Sequence, residues 1–333
     1  MAATGNPPNA AAPRVVRVTA GDDEAGRRLD NFLLAQLKGV PRTHVYRLIR
    51  SGQVRVNSRR VQASYRLISG DEVRVPPVRK PDAINAPPPS RLRADWIEAL
   101  VLHEDENLLV LNKPSGLAVH GGSGISLGAI ELLRATRGPK CSLELVHRLD
   151  RDTSGCLLIA KRPAALRALH SQFREGGIDK RYLALLIGAW PGGARTVDAP
   201  LLTTERRGGE RHVRVDADGK ESVTHFVPLE RFPNAVLSEV HLATGRTHQI
   251  RVHAASIGHP VAGDERYGPA EDPIVAGQGL RRLFLHARSL GFRSPGSSDA
   301  ITIEAPLGDD LTAPLDRLRS TGTQRPTVTA HPG

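Results

Sequence analysis

The stretch LVHRLDRDTSGCLLIAK, Leu145–Lys161, joins two features on which the reading of this chain turns. Its second half, Cys156–Ala160, is an apolar run with the length of a buried strand. Its first half gathers Arg148, Asp150, Asp152, Thr153 and Ser154 in a turn-prone segment directly before that run. A strand packed in a core holds such a loop in place, and loops held in this way commonly carry function. The residues alone allow three uses: a loop that contacts phosphate, a metal site built on Asp150 and Asp152, or a charged turn.

Outward from this stretch, Trp96 to about Leu318 reads as many short strand-like runs broken by a few helices. Leu108–Leu111, Cys156–Ala160, Tyr182–Ile187, Val223–Val227 and Val236–His241 are the strand candidates, and Pro163–Glu175 and Arg246–Ile257 the helix candidates. Strands outnumber helices and do not alternate with them as in a doubly wound fold. The expected class is therefore α+β, with a mainly antiparallel mixed sheet.

Toward the N-terminus the composition changes. Leu29, Phe32, Leu33 and Leu37 recur at helical spacing, and Gly39-Val40-Pro41 makes a turn. A second helix from about Arg42 to Arg50 places Val45, Leu48 and Ile49 on one face and Thr43, Arg47 and Arg50 on the other. Val54–Asn57 and Glu72–Val75 alternate as strands, which makes a small α/β module. Between Arg27 and Lys80 there are 13 Lys and Arg against 3 Asp and Glu; the rest of the chain carries 33 against 32. Nearly all of the net charge of +11 thus sits in this module. A local excess of that size suits a polyanion, with a solvated surface as the alternative. Arg42, Arg47 and Arg50 are its candidate contacts. The expected division is an N-terminal extension without order over 1–24, the basic module over 25–78, a Pro-rich linker over 79–95, the larger domain over 96–318, and a tail without fixed structure over 319–333.

Other classes are disfavoured. At 39% apolar and 24% charged residues the chain has a globular composition, and its longest apolar runs are strand-sized. Met1–Pro13 lacks the basic start and apolar stretch of a secretory signal, so a cytoplasmic protein is expected. Cys141 and Cys156 form neither a disulfide framework nor a CxxC pair. His147, His248, His253 and His259 match no zinc spacing, so no metal is expected. No coiled-coil pattern occurs, and a monomer is expected.

PRTHVYRLIRSGQVRVN, Pro41–Asn57, resembles the S4 RNA-binding domain. HRLDRDTSG, His147–Gly155, resembles the signature of the large-subunit ribosomal RNA pseudouridine synthases. The likeness extends through LNKPSG (Leu111–Gly116), KRYLAL (Lys180–Leu185), GRTHQIR (Gly245–Arg251) and LFLHA (Leu283–Ala287). Five separated motifs in order, behind an S4-like module, make the resemblance cover roughly residues 25–318.

The resemblance implies an enzyme that cuts the bond from ribose C1′ to uracil N1, turns the base and rejoins it through C5. Nothing is oxidised or reduced overall, and no cofactor is needed. It implies Asp150 as the catalytic carboxylate, acting as nucleophile or as base. Arg251 is its expected charge partner, presented by the helix Arg246–Ile257. Tyr182 is the expected aromatic lying on the uracil. Arg148 is the expected wedge, filling the place left by the extruded base. Lys113 and Arg246 are candidate phosphate contacts, with ordinary surface charges as the alternative, and Asp152, Thr153 and Ser154 shape the loop. The implied partner is 23S ribosomal RNA or a large-subunit assembly intermediate.

Within the family, VHGGSG (Val119–Gly124) and the residues Arg151 and Ser154 side with the type C branch, which modifies several separated uridines of 23S RNA, over the type D branch. The chain departs from that branch in its N-terminal extension, its tail and Gly263 in VAGDERYG. Two other classes are weighed: a non-catalytic RNA-binding or ribosome-assembly protein, disfavoured by the intact Asp150, Tyr182 and Arg251, and a hydrolase of N-glycosidic bonds, which would release free uracil.

Overall fold

The structure, a computed structural model, describes residues 15–37, 40, 42–78, 94–121, 127–138, 141–205, 211–297 and 299–322. These form two compact units, one before Pro89 and one after it.

In the first unit, strand β1 (Val16–Thr19) pairs with β3 (Glu72–Val75), which also pairs with β2 (Arg55–Val56), both antiparallel. Helices α1 (Leu29–Gln36) and α2 (Arg42–Arg50) cover this sheet. Leu29, Phe32 and Leu33 of α1 and Val45, Leu48 and Ile49 of α2 bury the faces expected from their spacing, against Val54, Val56, Val73 and Val75. Asp30 is buried and ties the two helices, accepting hydrogen bonds from Arg28 at 2.7 Å and from the Tyr46 hydroxyl at 2.9 Å. The Arg28 bond holds its carboxyl below the ordinary carboxylate range. Arg47 and Arg50 are exposed on the other face of α2; the side chain of Arg42 lies outside the described residues. The ordered chain begins earlier than expected. β1 falls inside the segment 1–24 because its alternating Val-Arg-Val-Thr can pair residue for residue with Glu72–Val75, bringing Arg17 within 2.7 Å of Glu72. Most of the expected linker lies outside the described residues, and its end, Asp95, already opens a 3-10 turn, Asp95–Leu100.

The second unit is built on a ten-stranded sheet. Its strands are β4 (Val101–Glu104), β5 (Leu108–Lys113), β6 (Glu144–Leu145), β7 (Ser154–Ala160), β8 (Asp179–Ile187), β9 (Arg195–Asp198), β12 (Val223–Phe232), β13 (Ala235–Leu242), β14 (Leu285–Arg293) and β15 (Ala300–Glu304). The main path runs β4-β5-β7-β14-β8-β13-β12-β9, with β15 on β14 and β6 on β7. A separate hairpin joins β10 (Leu201–Glu205) to β11 (Arg211–Val215). Every pairing is antiparallel except that of β7 with β14. The helices are α3 (Ala129–Arg137), α4 (Pro163–Glu175), α5 (Gln249–Ser256), α6 (Pro273–Gln278) and α7 (Asp309–Gly322).

Alternation along the central strands feeds two cores. Leu109, Leu111, Leu157, Ile159, Tyr182 and Ala184 face the core that includes Ile250 and Ala254 of α5. Leu108, Val110, Cys156 and Leu158 face Ala165 and Leu169 of α4. Cys156 is thus a core residue, its thiol pushed up to about 12 by burial, and both cysteines are free. The expected start of the tail is also corrected. Arg319 to Gly322 continue α7, because Leu311, Leu315 and Leu318 recur at helical spacing against Phe232 and Phe284, and Arg319 pairs with Glu230. Residues 323–333 lie outside those described.

The parallel junction positions the loop of interest. Ser154 and Gly155 pair with His286 and Ala287, and Leu285 on the same strand pairs with Ala184 of β8. The segment Val146–Thr153 therefore emerges where β7, β14 and β8 meet. Gly155 has φ +108°, and a Cβ there would stand 2.2 Å from the Ala287 carbonyl oxygen. Backbone and strand cannot both yield, so Gly155→Ala is expected to cost about 2–4 kcal/mol through positive-φ strain and overpacking. Chemical denaturation with an unchanged slope and a lower midpoint would register it.

Candidate active site

The Asp150 loop is held from below by its own turn and by the Leu111–Gly116 segment. The Asp150 carbonyl accepts a bond from the Thr153 amide at 3.2 Å, which closes the turn. The Arg151 carbonyl accepts from the Gly116 amide at 2.9 Å, and the Asp152 carbonyl from Ser115 Oγ at 2.8 Å. Lys113, at the end of β5, has no exposure to solvent. Its Nζ donates to the carbonyls of Pro114 (2.9 Å), Leu117 (2.8 Å) and Arg151 (2.9 Å). All three ammonium protons are used. Burial pulls its pKa down to about 7, against the opposing charges of Asp152 and Asp150. Lys113 is therefore not the phosphate contact expected from the sequence. The end of a buried strand turns its side chain under the loop, where the carbonyls of a tight turn need a donor.

Beside this brace lies an open cleft lined by Arg148, Leu149, Asp150 and Thr153 of the loop together with Tyr182 and the segment Gly245–Arg251. Asp150 is half-buried and faces the cleft. Asp152 turns outward, and its carboxylate meets Arg151 at 3.1 Å. Of the two carboxylates in the loop, that of Asp150 lines the cleft and that of Asp152 does not. Tyr182, on β8, is buried, and burial together with the Asp150 charge pushes its phenol up, so it stays protonated at neutral pH. Arg148 and Arg246 are exposed at the rim, where Arg246 Nε donates to the Glu221 carbonyl at 3.2 Å.

The expected helix Arg246–Ile257 begins three residues late, at Gln249. Gln249 shapes the entry: its Oε1 accepts from Thr244 Oγ1 at 2.8 Å and from the Arg246 amide at 2.9 Å, while its Nε2 donates to the Val223 carbonyl and Thr224. Just before it, His248 takes a left-handed backbone, φ 54° and ψ 20°. Its Nε2 lies 3.8 Å from Asp150 Oδ2, and its Nδ1 lies 2.8 Å from the Tyr267 hydroxyl.

Arg251 reaches toward Asp150 as expected, with Nη1 4.0 Å from Oδ2, but its close partner is another carboxylate. Nε and Nη2 each lie 2.7 Å from an oxygen of Asp264, in a bidentate pair. The Arg251 guanidinium also stands 5.1 Å from the centre of the Tyr267 ring. Burial pushes Asp264 up, but the bonds and charge of Arg251 and the amides of Tyr267 and Arg266 outweigh it and leave the carboxyl low. The single pair Arg251–Asp150 is thus corrected to an arginine shared unequally between two aspartates. Sequence reasoning missed Asp264, Tyr267 and the place of His248. The signals were weak: Asp264 and Tyr267 lie within VAGDERYG, and His248 precedes Arg251 by three residues, the spacing of one helix face.

A half-buried aspartate, an arginine anchored near it and a buried tyrosine line one open cleft. The model of the RNA pseudouridylate synthase family matches residues 107–256, and that of the S4 domain matches residues 27–73. Ribosomal large subunit pseudouridine synthase C of Salmonella typhi is 53% identical, over 92% of this chain and 98% of the relative; its counterpart in Escherichia coli K12 is 51% identical, over 92% and 97%. The solved structure of human RNA pseudouridylate synthase domain containing 4 is 26% identical, with a TM-score of 0.58, and covers 71% of this chain and 98% of that one. The chain belongs to the RNA pseudouridine synthases with an N-terminal S4 domain, and it is an enzyme of that class.

Lys113→Met keeps the buried stem and strips three carbonyls of their donor. It should lower stability by about 2–4 kcal/mol and reduce kcat, with RNA affinity unchanged. Thermal melting, turnover at saturating RNA and filter binding measure these separately; a phosphate contact would instead weaken binding alone.

Proposed function

We propose that the enzyme isomerises uridines of 23S ribosomal RNA, free or in a large-subunit assembly intermediate, to pseudouridine, without a cofactor, and that Asp150 is its catalytic carboxylate. The observation that carries this is the place of Asp150: lining one cleft with Tyr182 and within 4.0 Å of Arg251. The names of the relatives support the ribosomal substrate.

In this reading Asp150 acts at the ribose, as nucleophile at C1′ or as base toward a sugar proton, and the C1′–N1 bond breaks. Arg251 favours the charged form of the carboxylate and is itself held by Asp264. Tyr182 offers the detached uracil a flat apolar face with a neutral hydroxyl at its edge. After the base turns and C5 joins C1′, C5 loses one proton and N1 gains one, so atoms and charge balance. Arg148, at the rim, enters the place vacated by the extruded nucleotide. Arg246 contacts phosphate at the same rim. Arg47 and Arg50, with Arg42, bind the RNA backbone from the basic unit, an attraction that weakens as salt rises. The likeness in Val119–Gly124 and Arg151 favours several separated target uridines, the type C pattern, and the enzyme works in the cytoplasm.

Incubating bacterial 23S RNA with wild type and with Asp150→Asn, followed by pseudouridine mapping, tests the reading. Sites made by wild type alone, with equal RNA binding by both, are expected; equal modification by the variant would overturn it. A type D pattern would correct the target, and free uracil would mark a hydrolase. Arg148→Ala should lower turnover on structured RNA about tenfold or more, for an unstacking cost of a few kcal/mol, and far less on an unpaired oligonucleotide. Equal losses on both substrates would remove the wedge.

A further inference from the structure

His248 is the feature of the cleft that the proposed chemistry leaves unused. It stands at a strained point: one of three non-glycine residues with positive φ among those described, and the one that lines the cleft. Such conformations persist where the surroundings over-determine them. Here the ring is held at one end and faces a carboxylate at the other. Nδ1 lies 2.8 Å from the Tyr267 hydroxyl, with the two rings edge to face at 5.6 Å, and Nε2 points at Asp150 Oδ2 from 3.8 Å.

The other group near that oxygen is Arg251, whose Nε and Nη2 are both committed to Asp264 and whose Nη1 stands 4.0 Å away. Arg251 supplies charge to Asp150 but is not free to steer it. The groups facing His248 are Asp150, Asp264, Arg251, Arg266 and Tyr267. Burial, aided by the two arginines and opposed by the two aspartates, holds the imidazole below its ordinary pKa, so it is neutral at neutral pH. A neutral imidazole has one N–H. If that proton sat on Nδ1, a lone pair would face the carboxylate; with the Tyr267 hydroxyl donating to Nδ1, the proton sits on Nε2 and faces the carboxylate.

We propose that His248 is a positioning residue for Asp150: its Nε2–H steers one carboxylate oxygen, and Tyr267 fixes the tautomer that makes this possible. The open distance of 3.8 Å is longer than a hydrogen bond and closes when RNA fills the cleft, as catalytic bonds in empty sites commonly do. The inference rests on the reading of Asp150 given above.

Two substitutions separate this role from a backbone role. Asparagine tolerates the left-handed conformation better than glutamine, but only glutamine extends an amide N–H to the place of Nε2. His248→Ala should lower kcat by roughly tenfold to a hundredfold, the effect of a misplaced reacting group, with KM and RNA affinity unchanged. His248→Gln is expected to regain most of that loss and His248→Asn little of it. The opposite order of rescue, or full activity of His248→Ala, would overturn the proposal. Tyr267→Phe supplies a second measurement that leaves His248 in place: kcat should fall several-fold at constant RNA affinity, and an unchanged kcat would remove the tautomer claim. Asp150→Asn run in parallel keeps the two readings apart. If it retains activity, the assignment of Asp150 fails; if it is inactive while His248→Ala is not, only the present inference fails.

Discussion

Two backbones that pass too closely for a side chain form the constraint on which the rest of this structure depends. At Ser154 and Gly155 the chain enters the sheet parallel to β14, and Gly155 leaves no room for even a methyl group against Ala287. Among the described residues this is the one parallel pairing in a sheet otherwise antiparallel. It places the preceding loop beside β14, whose other neighbour is β8, the strand that carries Tyr182. A loop on an edge strand would have had solvent on one side and no opposing wall. Lys113 completes the support from beneath by satisfying three carbonyls that a tight buried turn would otherwise leave without donors.

The electrostatics of the site follow from where its charges are placed. Burying an arginine is costly unless a carboxylate meets it in good geometry, and Asp264 does so with both oxygens. That pair is structural in the sense that each partner holds the other ionised. Asp150 sits beside it and faces the cleft, close enough to feel the arginine's field yet not locked to it. A carboxylate gripped as Asp264 is gripped would be a poor reagent, because its lone pairs are already engaged. In the proposed chemistry the separation of duties between the two aspartates serves the reaction as much as the fold.

Much of this was legible in the sequence, and for definite reasons. The α+β class followed from short strands without strict alternation with helices. The apolar faces of α1 and α2 followed from helical spacing, and Asp150, Tyr182, Arg148 and Arg251 from motif likeness; all four line one cleft. What escaped was non-local or depended on depth. Lys113 reads as a surface cation until β5 is known to be buried to its end. The partnership of Arg251 with Asp264 joins a helix to a turn beyond it, and the intervening residues carry no signal of the approach. The strand at Val16–Thr19 was hidden because its partner lies more than fifty residues later, and the domain runs past its expected end at Leu318 because the anchor of Arg319, Glu230, is on a distant strand.

The parallel junction also bears on how the enzyme comes into being. Its partners are Ser154 and His286, and a contact between residues so far apart in the chain forms only after a long loop has closed. During synthesis, β7 and its loop leave the ribosome well before β14 exists to receive them. Until Leu285–Arg293 inserts between β7 and β8, the gap beside the loop is unfilled and Asp150 has no fixed relation to Tyr182. The nascent chain can display its basic unit early, while the cleft is completed in one late step. The basic unit and the cleft are thereby completed at different times in the life of the polypeptide.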